Sequence, residues 1–142
     1  MYIYLFKRAI VKTKKVIIFA ALNYIILTIM NHYETVFILN PVLSDTQIKE
    51  TVQKFEDYLV SKGAEMISKE DWGLKKLAYP IQKKKSGFYH LFEYKVNGSV
   101  IAPFELEFRR DDSVMRYLTV KLDKHAIAWA IKRRERQSAP KK

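Results

Sequence analysis

Residues 71–81 read Asp71-Trp72-Gly73-Leu74-Lys75-Lys76-Leu77-Ala78-Tyr79-Pro80-Ile81, and residues 83–96 continue Lys83-Lys84-Lys85-Ser86-Gly87-Phe88-Tyr89-His90-Leu91-Phe92-Glu93-Tyr94-Lys95-Val96. From Ala64 to Ile81 the residues favour extended backbone, and Ser86-Gly87 reads as the break that ends the run. Beyond it, Phe88, His90, Phe92, Tyr94 and Val96 share one parity and therefore one face of a strand. Two such runs joined by a short polar break are a long β-hairpin, with its lysines on the second strand and in the turn.

The flanks complete the plan. Upstream, Tyr33 to Leu39 is rich in β-branched and aromatic residues, apolar on both parities and closed by Asn40-Pro41, as a central strand is. Ser44-Asp45-Thr46-Gln47 matches a capping box, Ile48, Val52, Phe55 and Leu59 fall on one helical face, and Lys62-Gly63 supplies the stop. Downstream, Asn97-Gly98-Ser99 ends the hairpin and offers Ser99 as an N-cap, with Pro103 tolerable near the first turn of a helix running to about Arg110. Ile101, Phe104 and Phe108 form its core stripe, Asp111-Asp112-Ser113 is a turn, and Val114 to Leu122 is a fourth strand. The order is βαββαβ, an α+β, ferredoxin-like fold: a four-stranded antiparallel sheet with two helices on one face and the other face open to water or a partner.

Three segments follow: an extension over 1–29, the domain over 30–122 and a basic tail over 123–142. The formal charge of +11 divides the same way. Residues 1–29 hold five cations (Lys7, Arg8, Lys12, Lys14, Lys15) and no acid, and residues 123–142 hold seven against Asp123 and Glu135, so each end contributes +5. The domain, with 14 basic and 13 acidic residues, contributes only +1. Within it Lys75, Lys76, Lys83, Lys84 and Lys85 form an acid-free cluster between Trp72 and Phe92. A polyanion would meet one lysine-rich hairpin and a basic tail. Charge alone equally fits a solvated surface with a disordered tail.

The first segment has a basic stretch and then a fourteen-residue apolar run, Val16 to Ile29, interrupted only by Asn23 and Thr28. The run is short for a membrane span, and no small-x-small cleavage site separates it from Met30. A translated leader upstream of a true start at Met30 fits best, ahead of a membrane-interacting appendage and a secretory signal. No membrane partner is expected.

Catalytic constellations are largely absent. There is no cysteine, which removes disulfides and thiolate chemistry and fits a reducing cytoplasm. His32, His90 and His125 lack metal-ligand spacing, the four glycines are punctuation, and the acid pairs Glu70-Asp71 and Asp111-Asp112 read as turn or surface acids. No enzyme activity and no cofactor are expected. The hairpin aromatics Trp72, Tyr79, Phe88, Tyr89, Phe92 and Tyr94, interleaved with lysines, are the mixture that RNA-binding sheets use, although Phe88 and Phe92 fit the core better. Arg109, Arg110 and Arg116 fit surface solvation and phosphate contact equally. An RRM signature fails over Lys85 to Tyr94: Ser86 separates the base from the glycine, Tyr89 stands where a small residue belongs, and Glu93 takes a stacking position. A free-standing RRM-like module binding single-stranded RNA is the alternative reading.

Asp71 to Ile81, then Lys83 and Gly87-Phe88-Tyr89, resembles the characteristic hairpin of the sixth protein of the bacterial small ribosomal subunit. Tyr33-Glu34-Thr35 with Leu39-Asn40-Pro41 is similar to that family's first strand, and Phe108 to Arg116 to its link between second helix and fourth strand. The resemblance covers 30 to about 122 and leaves residues 1–29 and the tail outside. It implies a structural ribosomal protein, cytoplasmic, that pairs with the eighteenth small-subunit protein and with it binds the central domain of 16S ribosomal RNA among other 30S components. The RNA contacts expected are Lys75, Lys76, Lys83, Lys84, Lys85, Arg109, Arg110 and Arg116 with Lys132, Arg133 and Arg134 of the tail. The partner is expected along the strand edge bearing Trp72, Leu74, Leu77, Tyr79 and Ile81.

Overall fold

The computed structural model describes residues 15–22, 25 and 30–138. Residues up to Met30 form a unit of their own, in which 15–22 are helical and Val16, Ile17, Ile18, Phe19, Leu22 and Ile25 are exposed. The basic stretch before Lys15, and Asn23 and Thr28 within the apolar run, lie outside the described residues. No helix among the described residues is long and apolar enough to cross a membrane.

The second unit, from Asn31, holds all but the first residue of β1 (Met30–Leu39), then α1 (Asp45–Ser61), β2 (Glu65–Ile81), β3 (Lys84–Asn97), α2 (Ile101–Arg110), β4 (Val114–Lys121) and α3 (Lys124–Ser138). The antiparallel sheet has the order β2-β3-β1-β4, so the two βαβ halves interleave and β2 and β4 are its edges. The fold is the ferredoxin-like one expected from the element order.

Local chemistry sets most boundaries. Ser44 caps α1 in a complete capping box, its side chain accepting from the Gln47 amide while Gln47 Oε1 accepts from the Ser44 amide at 2.9 Å. Gly63, at φ +82°, turns the chain out of the helix where an L side chain would be strained. Ser99 is not the next cap. Asn97 takes that place, its Oδ1 accepting from the Ser99 amide at 3.0 Å in a short 3-10 turn, Gly98–Val100, that runs directly into α2. The hairpin turn also differs from expectation. Gln82 and Lys83 form it, both with positive φ as a two-residue type I′ connection demands, while Ser86 and Gly87 lie inside β3. Gly87 is needed there for space rather than for a turn: a Cβ would overlap the Ile38 Cγ2 methyl and come within 3.1 Å of the Leu39 carbonyl oxygen.

The core lies between the sheet and the two crossover helices. Phe37, Phe55, Phe104 and Phe108 are sealed from solvent and pack ring on ring, with Phe55 and Phe108 centroids 4.3 Å apart and Phe37 5.1 Å from both Phe92 and Phe108. Each ring contributes about 1.5–3 kcal/mol by burial. Phe92, Tyr94 and Val96 are buried here, and Phe88 packs at the margin, as their parity predicts. The Tyr94 hydroxyl is satisfied by Thr35 Oγ1 at 2.8 Å, and burial pushes its phenol up to about 12. His90 stacks on Phe37 at 5.5 Å, and burial lowers its pKa against the opposing pull of Asp71.

Two outcomes test this packing. Gly87→Ala should cost roughly 1–3 kcal/mol in denaturant unfolding, with a smaller added cost in an Ile38→Ala background. Because the unfolded chain takes up a proton at His90 that the fold refuses, stability should fall as pH drops below about 6.5, and His90→Gln should reduce that slope.

Candidate nucleic-acid and partner interface

The hairpin cations gather at one end of the sheet. Lys83 in the turn and Lys85 on β3 are exposed, Lys84 is half-buried, and Lys75 and Lys76 project from β2. Lys75 stands 5.2 Å over the Trp72 ring, which itself stacks on Tyr89. Gly87 fixes where this end lies, beside Leu39 at the close of β1 and Met115 at the start of β4. Arg116 on β4 reaches into the same region, donating to the Tyr79 hydroxyl with its guanidinium 5.5 Å from the Tyr79 ring. Arg109 and Arg110 are exposed in the last turn of α2, which leads into β4, and Arg109 leans to the Tyr117 hydroxyl at 3.4 Å. Sequence positions spread over forty residues thus meet at one basic end.

The five residues expected along the partner edge do not share one environment. β2 is an edge strand, so one side of its backbone has no strand partner. Leu74 and Tyr79 are each 57% exposed. Leu77 is buried, and Trp72 and Ile81 are half-buried. Trp72 is the extra residue of a bulge, opposite the step from His90 to Tyr89, with Gly73 at φ +71° and its amide donating to Asp71 Oδ1.

The tail is where the structure departs most from expectation. Residues 124–138 form a helix, capped by Asp123 Oδ1 accepting from the Ala126 amide at 2.7 Å, and it packs on the sheet face turned away from α1 and α2. That face carries Glu34 on β1, Glu70 on β2 and Glu93 on β3. Arg133 forks between two of them, Nη1 donating to Glu34 at 3.3 Å and Nη2 to Glu70 at 3.0 Å, and the second Glu70 oxygen accepts from Trp72 Nε1 at 2.8 Å. Glu93 is fully buried, accepting from His32 Nε2 at 2.8 Å through one oxygen and from Arg134 through the other. Arg133 and Arg134, expected among the RNA contacts, are therefore turned inward onto carboxylates. Lys132 faces solvent. Glu70, expected as a surface acid, is held in this network, and the open second face is partly roofed.

Beside α3 the sheet keeps an apolar strip. Leu118 and Val120 point away from α1 and α2 and are 63% and 46% exposed, and Val36, Ile38, Tyr117, Leu118 and Arg116 line a shallow recess of about 390 Å³. A second recess of similar size lies between α1 and β2, crossed by the Lys69–Glu56 ion pair at 2.7 Å. Neither offers a nucleophile with a base, and among the described residues no three His, Asp or Glu side chains are grouped as metal ligands. The acid network had one visible signal in the sequence: Glu93 interrupts a strand that is otherwise apolar or aromatic on its buried stretch.

Comparison with known proteins decides the family. The family model described as "Ribosomal protein S6" matches residues 32–121. The chain belongs to the ribosomal protein S6 family. The small ribosomal subunit protein bS6 of Christiangramia forsetii is 79% identical over 107 residues, covering 75% of this chain and 96% of that protein. The bS6 of Flavobacterium psychrophilum is 74% identical over 112 residues, 79% of this chain and 99% of the relative. In fold, the chain is similar to the crystal structure of 30S ribosomal protein S6 from Thermotoga maritima, with a TM-score of 0.65 over 76% of this chain and 98% of that one, at 21% identity. Membership makes it a structural protein of the small ribosomal subunit rather than an enzyme.

If the inward arginines hold α3, Glu93→Gln should lower unfolding stability by roughly 2–4 kcal/mol. Hydrogen exchange should speed up across 124–138 while the core amides of β1 and β3 stay protected.

Proposed function

We propose that this chain takes its place in the small subunit by binding the central domain of 16S ribosomal RNA jointly with the eighteenth small-subunit protein. The observation that carries this reading is the basic end of the sheet, where Lys83, Lys84, Lys85, Arg116 and the α2 arginines converge beside an edge strand that exposes Leu74 and Tyr79 and has no strand partner on its outer side. Cations clustered on a nearly neutral domain suit phosphate neutralisation, and an open strand edge with projecting apolar groups suits addition of a partner segment. The work is positioning, with backbone and shape readout dominating. The setting is the bacterial cytoplasm, and the functional domain begins at Met30.

The RRM-like alternative loses support. An RRM stacks bases on the helix-free face of its sheet, and here Glu93 and the docked α3 occupy that face.

Replacing Lys83, Lys84 and Lys85 by alanine should weaken binding to 16S ribosomal RNA and flatten the dependence of log K on log salt by about 2. An unchanged slope would remove the hairpin from the interface. The native protein should also co-sediment with small subunits through a high-salt wash, and release with the soluble fraction would count against the assignment.

A further inference from the structure

Helix α3 divides its side chains between two surroundings. Ala126, Ile127, Ala130, Arg133 and Arg134 are buried or half-buried on the sheet side, whereas His125, Trp129, Lys132 and Arg136, spaced four, three and four residues apart, form an exposed stripe. Trp129 is 60% exposed, yet its ring is held: the Arg133 guanidinium lies 5.3 Å from its centroid and is itself fixed by Glu34 and Glu70. An indole is thus steadied on one side and left accessible to solvent. Its stripe neighbours Lys132 and Arg136 have no ion-pair partner among the described residues. The one acid within α3 is Glu135, and Asp123 is taken up as the helix cap. Turning two of the tail's seven cations inward therefore leaves the outer side basic around a presented aromatic plane.

We infer that the outer face of α3 is a docking surface for single-stranded RNA, with Trp129 stacking on one unpaired base and Lys132 and Arg136 against the flanking phosphates. A flat π surface flanked by unpaired cations fits that ligand, because bases stack without regard to sequence while phosphates complement the charge. An acidic or apolar protein segment would satisfy the cations or the indole, but not both. The inference rests on the ribosomal RNA reading above and adds a contact separate from the hairpin lysines. It also reassigns the tail: Lys132 and Arg136 face RNA, and Arg133 serves as a positioning residue for Trp129.

The test uses the full chain assembled into reconstituted small subunits, with the photoreactive p-benzoylphenylalanine in place of Trp129 and, in a parallel preparation, of Lys84. The expected result is an adduct to 16S ribosomal RNA from both positions. RNA adducts from position 84, with only protein adducts or none from position 129, would overturn the α3 surface and leave the hairpin reading standing. Absence of RNA adducts from both would overturn the two together. As a second measurement, Trp129→Ala should weaken binding of the isolated chain to a 12-nucleotide oligouridylate by roughly 5- to 100-fold, the effect of one stacked base, whereas Trp129→Phe should retain most of it. Equal affinities for the native, Ala and Phe chains would contradict the stack.

Discussion

Three carboxylates on the sheet face away from the crossover helices, Glu34, Glu70 and Glu93, constrain everything built on that face. Glu93 has no access to water, and a carboxylate in that position is tolerable only when its oxygens meet donors. His32 supplies one and Arg134 the other, while Arg133 bridges Glu34 and Glu70. The helix carrying both arginines has to lie where they reach three adjacent strands. The docking of α3, the loss of the face as a base-stacking platform, and the outward direction of Lys132 and Arg136 all follow from that pairing.

The same pairing sorts the cations by role. A chain of net +11 invites the view that all its basic residues face a polyanion, but guanidinium groups suit pairing with carboxylates, and here Arg133 forks between Glu34 and Glu70 while Arg134 meets Glu93 through one nitrogen. Among the cations left outward are those of the hairpin end, Arg109, Arg110 and Arg116, and the outer stripe of α3, while Lys49, Lys62, Lys95, Lys121 and Lys124 are exposed elsewhere on the domain. Edge strand β2 shows a complementary division. Lys75, Lys76 and Pro80 discourage indiscriminate strand addition, while Leu74 and Tyr79 give a chosen partner something to bury.

The fold was legible wherever burial followed a period. Ile48, Phe55 and Leu59 on α1, and Phe92, Tyr94 and Val96 on β3, lie in the core because only one face of each element meets it. Turn chemistry was less readable. Gln82 and Lys83 adopt positive φ without the Asn or Gly that usually announces it, and Gly87, which looks like a breaker, sits in mid-strand to admit Ile38. The candidate site was legible only in part. The hairpin lysines stood out as a cluster, but α3 did not, because its inner face is built from two alanines, one isoleucine and two arginines, a pattern that hydrophobic periodicity cannot distinguish from a solvated tail. Its partner signal, Glu93 within an apolar strand, becomes meaningful only once strand order brings it beside Glu34 and Glu70.

Under the proposed function, Arg133 and Arg134 hold α3 to the sheet, while the hairpin cations and the outer stripe of α3 face RNA. The salt dependence of 16S ribosomal RNA binding by Arg133→Met/Arg134→Met, measured together with its unfolding stability, tests it most directly. The expected result is a less stable protein whose hairpin contribution to the salt slope is retained, with any loss limited to the share of about 1 expected from Lys132 and Arg136 on a correctly placed α3. Unchanged stability with a slope reduced by 1 to 2 would contradict it, since both arginines would then be phosphate contacts.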